Sequence, residues 1–413
     1  MQSIILEQLR DQKTPLEVIV VGLGFMGFGF VSLTRYTPGI IVPLVITRRP
    51  SETLSFLEKE GYNARIEGNP SMIKDNAQKG IISVSDDMDL IKTYENQIVF
   101  EMTGTVDYGT EVALKTLEAN KHLVTMNPEL QATVGTPLRI LFDQKNLVIT
   151  DVVGDQPGSL SRLIASSNAK GFKTLLAGNM KRYLDRHATQ KKMQPWADDK
   201  GLAVRQTVSF TDGTKQAIEM TLVSNYFGMS ILEAGMRGPV VERFDQVLNM
   251  FDWDSVPENG VVDYMLGRTL FPGVFIVAEH IDPHQQKYLR YLGLGDGPRY
   301  VLFDSYHLCH LEVSETLAKV GLYNSETINN GLSPTTTTVA MAKFDLQKGQ
   351  VLDGIGGDTL YGSIRKLPFN RNYLPVGVSQ GAVLKRDIPQ DTPISLDDVD
   401  VPSNAATKLL GLA

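Results

Sequence analysis

Three glycines, Gly22, Gly24 and Gly27, follow the apolar run Val18-Ile19-Val20-Val21 at the spacing G-x-G-x-x-G. Each position wants glycine for its own reason: a tight turn after a strand, close approach of backbone to a pyrophosphate, and close packing of helix on strand. Phe25 and Met26 complete the loop, and the stretch 28–35 can begin the helix whose amide end would hold the anion. A glycine-rich turn without a ligand is the alternative reading. Arg48 stands 21 residues after Gly27, where an acid would hold the ribose 2′-hydroxyl of NAD, and no acid occurs before Glu52. Arg48 and Arg49 together suit a 2′-phosphate, so the cofactor expected is NADP(H). A solvated pair at a strand end is the competing possibility. Thr103 and Gly104 close the next apolar run at a turn where a nicotinamide could pass. Asn127, with Glu129 behind it, falls at the edge where open α/β sheets bind ligands, although an Asn-Pro turn explains it almost as well.

A second set of residues could move protons. Reduction of a carbonyl needs an electrophile at the oxygen and a proton source, and a lysine with a desolvated ammonium supplies both. Lys215 beside Asp212 is the first candidate and Lys181 the second. Asp155, in Gly154-Asp155-Gln156-Pro157-Gly158, could orient substrate or share a divalent metal, Mg²⁺ or Mn²⁺, with Glu219. Simpler roles compete: Asp212-Gly213 is good turn chemistry and Asp155 could cap a helix. Gln156, Tyr183 and Arg186 are the expected substrate contacts, and Lys181, Arg182, Arg186 and Lys215 together could hold a phosphate. His307 and His310 stand at i, i+3 with Glu312 near, but no third metal ligand is placed by the sequence, which favours a packed or hydrogen-bonded pair.

The elements that must position these residues alternate. Strands are expected at 17–21, 40–46, 81–85, 97–104, 121–128 and 147–153, with helices over 52–61 and 106–119 and a helix start at Asp86-Asp87. The stretch 62–79, with Pro70, reads as irregular. This alternation predicts an α/β Rossmann fold, a doubly wound parallel sheet, over 1–150. An α+β substrate and oligomerisation domain is expected over 151–332, with a strand at 173–177 and a strand-like 208–215 leading into a helix over 216–226. Within it, the Gly-, Pro- and aromatic-rich 237–300 reads as surface or lid, and a helix starts within 306–320. Ser333-Pro334 and Thr335 to Thr338 mark the boundary of a small β-rich module over 333–413.

Composition narrows the partners. The chain has 413 residues, 42% hydrophobic and 21% charged, with dispersed charges and a net charge of −7. That disfavours nucleic acid or an anionic membrane and leaves a small molecule as the expected partner. One cysteine, Cys309, permits no intramolecular disulfide. No apolar run approaches the roughly 20 residues of a membrane span. The first 16 residues lack a secretory core. A cytoplasmic protein is expected.

On these residues the chain resembles homoserine-dehydrogenase-like oxidoreductases with a C-terminal SAF domain, including the DXR-like (type II) 1-deoxyxylulose 5-phosphate reductoisomerases. The carriers are Gly22 to Gly27, Gly154 to Pro157, Ser209-Phe-Thr-Asp-Gly-Thr-Lys215, Gly295-Asp-Gly-Pro298 with Tyr306-His-Leu308, and Leu384-Lys-Arg-Asp-Ile-Pro389. The resemblance implies an NADPH-dependent enzyme on a small phosphorylated keto-sugar, a homo-oligomer, and a tail similar to that of sialic acid synthases. It departs from the homoserine dehydrogenase pattern at Met126-Asn127-Pro128, where an Asn-Lys is missing its lysine. A simple dehydrogenase of a small hydroxy compound and a non-catalytic NADP-binding regulator remain alternatives.

Overall fold

A computed structural model describes residues 2–368 and 372–412. They form two compact units: Met1–Leu130, Pro137–Asp155 and Leu308–Asn329 make one, and Gln131–Thr136, Gln156–His307 and Asn330–Ala413 the other.

In the first unit, β1 (Leu16–Val21), β2 (Ile40–Ile41), β3 (Leu44–Ile46), β4 (Ala64–Ile66), β5 (Ile82–Ser85), β6 (Ile98–Glu101), β7 (His122–Thr125) and β8 (Ile149–Asp151) form one parallel sheet. The order is β4-β5-β3-β1-β6-β7-β8, with β2 also paired to β1. Val18 to Val21 are wholly buried, and the unbroken apolar run reflects a sheet covered on both faces. The chain leaves β1 toward β3 and later returns to β6 on the other side of β1. The ends of β1 and β6 therefore flank the topological switch point, where such sheets bind ligands.

The local chemistry refines the expected elements. The run 40–46 is broken at Pro43, which has no N–H for the ladder. The stretch 62–79 is not irregular: it holds β4 and the helix Pro70–Gln78, capped by Asn69 Oδ1 accepting from Ser71 N at 3.0 Å. An Asn cap followed by proline at the first helical position is a start signal. Asp86-Asp87 starts no helix. Asp87 instead accepts from Asp89 N at 2.8 Å, and a single turn follows at Leu90–Thr93.

The second unit is built on β9 (Lys173–Lys181), β10 (Val261–Leu266), β11 (Val274–Glu279) and β12 (Arg299–Asp304), in the order β10-β9-β11-β12. Only β10 and β9 run parallel. Thus 237–300, expected as surface or lid, supplies two of the four strands, because its apolar β-branched runs outweigh the flanking glycines and prolines. On β9, Leu176 and Met180 point into a core with Val261, Met265, Phe275 and Val277. Strand alternation turns Ala177, Asn179 and Lys181 to the opposite face, against the helices Gln156–Asn168 and Thr214–Phe227.

The strand-like 208–215 is in fact the end of a helix, Val204–Thr211. The Thr211 hydroxyl satisfies the Thr207 carbonyl at 2.8 Å, and the chain turns at Gly213 with φ +86° before the next helix. Past 333 the chain pairs β13 (Thr336–Ala342) with β14 (Leu360–Lys366) and β15 (Val383–Leu384) with β16 (Val399–Asp400), all antiparallel.

Candidate functional site

The glycine loop is shaped as a phosphate cradle. Gly22 has φ +93°, a conformation glycine adopts without strain, and a Cβ there would stand 2.9 Å from the Met102 carbonyl oxygen. A side chain at Gly27 would run into the Gly22 carbonyl. Gly24 is the N-cap of the helix Phe25–Leu33, and among the described residues nothing lies within 4 Å of its missing Cβ. Space therefore opens in front of the amides of Phe25 and Met26, which suits a dinucleotide pyrophosphate. Arg48 and Arg49 are exposed beyond β3. Arg48 stands 5.6 Å over the Tyr108 ring, and Arg49 pairs with Glu52 at 3.0 Å. Arg48 is the freer of the two for a 2′-phosphate.

At the end of β6, sequence reasoning missed Glu101. It is wholly buried, accepts from Thr103 N at 2.7 Å, from the Thr103 hydroxyl and from Asn127 Nδ2 at 3.2 Å, while its Oε2 has no partner. Burial pushes its pKa up to about 7 against the pull of these donors, with Glu129 adding to the rise. Thr103 and Asn127 thus spend their polar groups on Glu101, and Asn127 also caps the helix Pro128–Asp143 through Leu130 N at 3.1 Å. They shape the loop ending in Gly104 (φ +67°) rather than reaching out from it.

The second unit gathers a polar cluster on the helix-covered face of β9. Asn179 Nδ2 donates to Gln156 Oε1 and to Glu219 Oε2, the latter at 3.2 Å. With that amide orientation Gln156 Nε2 donates to His307 Nε2 at 3.2 Å, which leaves the neutral imidazole proton on Nδ1. Lys181 follows Asn179 by two residues and shares its face. Burial holds the Lys181 ammonium below the usual lysine range; Glu219 pulls it back up and Lys215 pushes it further down. Lys215 and Glu219 lie one turn apart on the helix Thr214–Phe227. Asn179 Oδ1 is buried without a partner among the described residues. A depressed lysine beside a buried carboxylate and an open amide oxygen is an arrangement for moving a proton onto or off a substrate oxygen.

Lys181, Lys215, Glu219 and Gln156 are thus brought together, and Asn179 and His307 join them unannounced. The i, i+2 spacing of Asn179 and Lys181 was the available signal, obscured because the strand had been expected to end at 177. Asp212 does not belong to this cluster. Its Oδ2 accepts from Lys343 Nζ at 3.0 Å in a wholly buried ion pair, and its Oδ1 accepts from Thr214 N at 2.9 Å. Tyr183 is 57% exposed on the surface, with Lys192 as a charged neighbour. Asp155 is buried in the first unit and Glu219 in the second, and among the described residues no three of His, Cys, Asp and Glu are grouped to hold a metal. The two histidines do not pair. His307 meets Gln156, whereas the His310 ring lies where a Cβ on Gly29 would come within 2.7 Å.

The class defined here is that of the fold, a Rossmann-type parallel sheet joined to a second unit with a buried polar cluster. Residues 154–313 match the family described as oxidoreductase DRL, catalytic domain. Homoserine dehydrogenase of Lactococcus lactis is 22% identical over 273 residues, covering 59% of this chain and 61% of that protein. Among solved structures, a probable dehydrogenase from Thermotoga maritima has a TM-score of 0.44 at 12% identity, over 75% of this chain and 90% of that one. Biliverdin reductase from Synechocystis, in complex with biliverdin and NADP⁺, has a TM-score of 0.38 at 14% identity over 75% and 91%. Myo-inositol 2-dehydrogenase from Lactobacillus plantarum has a TM-score of 0.42 at 9% identity over 76% and 91%.

Proposed function

We propose that this protein is an NADP(H)-dependent oxidoreductase that interconverts a carbonyl and a hydroxyl on a small substrate, with Lys181 as the proton donor in the direction of reduction. The observation that carries the reading is the desolvated Lys181 beside Glu219 and Asn179, inside the stretch that matches an oxidoreductase catalytic domain. Gly22, Gly24 and Gly27 with the amides of Phe25 and Met26 would hold the pyrophosphate, Arg48 the 2′-phosphate, and the Thr103–Gly104 turn would face the nicotinamide. Bound, the nicotinamide supplies the hydride. Lys181 donates its proton to the oxygen that gains negative charge, and Glu219 keeps the ammonium populated until that moment. Asn179 Oδ1 accepts a substrate hydroxyl, held in line by Gln156. A phosphorylated keto-sugar such as 1-deoxyxylulose 5-phosphate is the first substrate to try. Its rearrangement would need a cation gripping two oxygens, and no step is drawn through one because no donor group for it is assembled among the described residues. The likeness to a homoserine dehydrogenase makes a small hydroxy compound oxidised by NADP⁺ the second reading.

The test follows NADPH absorbance with 1-deoxyxylulose 5-phosphate, with and without Mg²⁺, and NADP⁺ reduction with homoserine. Turnover lost by about 10²-fold or more in Lys181→Met, with NADPH binding intact, is the expected result. A Lys181→Met protein that turns over like the parent overturns the assignment.

A further inference from the structure

Two arginines of the second unit converge; Arg186 acts on Asp391 at a distance, and neither arginine makes an ion pair among the described residues. Arg186 follows β9, and Arg365 lies in β14, in the C-terminal stretch. A terminal nitrogen of each lies 3.6 Å from the point where a Cβ on Gly235 would stand, and the Ser363 hydroxyl lies 3.0 Å from it. Gly235 has φ +84°, and any side chain there would fill the space between the guanidinium groups. Like charges brought this close repel, and burial together with Arg186 lowers the Arg365 pKa.

Every neighbouring acid is already engaged. Asp391 accepts from the Tyr361 hydroxyl at 2.9 Å and lies 3.0 Å from His187 Nε2. Asp263 takes the backbone N–H groups of Arg237, Gly238 and Tyr264 at 2.8 to 3.0 Å. Asp212 is matched by Lys343, and Glu233 faces Arg237 at 3.9 Å. Arg365 is left with Ser363 Oγ at 2.6 Å, the Ile364 carbonyl at 3.2 Å and Met341 sulfur at 3.5 Å. Arg186 sits 5.8 Å over the Tyr361 ring.

The space beside them is a narrow cleft, partly open to solvent, lined by Arg186, Asp212, Gln216, Gly235, Tyr264 and Ser363 among others, with the Asp212 carboxylate held by Lys343. Gln216 Oε1 is buried in this wall without a partner among the described residues, so a ligand hydroxyl would complete it. Tyr264 is the register partner of Asn179, and Gln216 follows Lys215. The cleft therefore adjoins the Lys181 cluster.

We infer that Arg186 and Arg365, with Ser363 and Tyr264, form a site for a small oxyanion, the terminal phosphate or carboxylate of the substrate. The inference rests on the reading of the Lys181 cluster as the reaction centre. Guanidinium forks suit both anions, and the narrow cleft admits a terminal group rather than a ring. The C-terminal stretch would thereby supply a specificity residue.

The test titrates inorganic phosphate, and separately acetate, into the full-length protein by calorimetry, comparing parent, Arg365→Met, Arg365→Lys and Gly235→Ala. Phosphate binding weakened roughly 10- to 100-fold by Arg365→Met and by Gly235→Ala, and partly kept by Arg365→Lys, is expected. Tighter acetate than phosphate would make the substrate a carboxylate. On whichever substrate turns over, Arg365→Met should raise KM by a similar factor while kcat changes little. Phosphate and acetate binding unchanged in every variant overturns the site, whatever Lys181→Met does. Intact anion binding with Lys181→Met fully active would instead remove the proposed chemistry and leave the site standing.

Discussion

At the scale of single residues, two carboxylates and two lysines govern how this protein should respond to pH. In the proposed mechanism reduction needs Lys181 as the ammonium, so its rate should fall as pH rises through a pKa held below the usual lysine value. Glu219 raises that pKa and Lys215 lowers it, so Glu219→Gln should move the alkaline limb to lower pH and Lys215→Met to higher pH. A pH–rate profile of kcat/KM reads both, and shifts in the same direction would refute the wiring. Glu101 carries a stability signature. Its pKa rises from 4.5 to about 7 on folding, so the folded protein holds the extra proton between those values, and stability is lost as pH climbs across that window. Glu101→Gln keeps the acceptor oxygen and removes the charge. It should gain up to ~3 kcal/mol over the parent at pH 8 and little at pH 4.5, measured by urea denaturation at each pH. Lys181 stands out in the sequence as a candidate because a lysine in a polar stretch is a ready proton donor, and the structure places it at the end of β9, where burial lowers its pKa. Glu101 does not, since an acid at a strand end is ordinary until the fold covers it. The cover comes from the helix Val106–Glu118, where Gly109 lets Glu101 and Asn127 approach within 3.5 and 3.1 Å of its missing Cβ.

At the scale of elements, Asp212 shows why good sequence logic can assign the wrong task. Acid, glycine, threonine and lysine between regular elements look like an exposed catalytic turn, and the turn is there. What closes it is Lys343, 131 residues away, wholly buried with Asp212 Oδ2 at 3.0 Å, the Ala188 carbonyl at 2.8 Å and the Gly357 carbonyl at 2.9 Å. No local pattern could announce a partner that distant. Removing one member of such a pair strands the other charge in a dry interior. Lys343→Met should therefore destabilise the protein by ~3–5 kcal/mol, and adding Asp212→Asn should recover part of the loss. A denaturation cycle on the three variants measures the coupling, and strictly additive losses would show that the two groups are independent. The helix expected over 216–226 forms as Thr214–Phe227, but its surroundings are not legible in the sequence. Nearly all its residues are buried, because it meets β9 on one side and β13 and β14 on the other. Its small hydroxyl residues serve that second contact: Thr221 bonds Thr338 at 2.8 Å, and Thr214 accepts from Gly362 N at 2.7 Å.

At the scale of the whole chain, the parallel sheet was readable because each strand and helix carries its own period, cap or proline. How the chain divides between its units is a different kind of fact. The two units draw on interleaved stretches, and the second takes residues from 131 to 136 and from 330 onward as well as 156 to 307. Composition marks a boundary at Ser333-Pro334, yet contacts run straight across it within the second unit. Asn225 Oδ1 accepts from Thr335 N at 2.8 Å and Thr336 N at 3.0 Å, and the Ser224 hydroxyl meets that of Thr336. A chain ending at 332 would strip the helix Thr214–Phe227 of the strands β13 and β14 that cover one of its sides, and would remove the partners of Ser224, Thr221 and Asp212. Those losses exceed what a domain of ordinary stability tolerates. The fragment 1–332 should therefore lack the parent's cooperative thermal transition and show near-UV circular dichroism lost from its second unit. The glycine loop draws its contacts from the first unit, so the same fragment should retain measurable NADPH binding. A fragment that melts as sharply as the parent would mean that the C-terminal stretch rests on the second unit without completing it. The proposed contribution of Arg365 to substrate binding would then need to be read as an addition to a finished site.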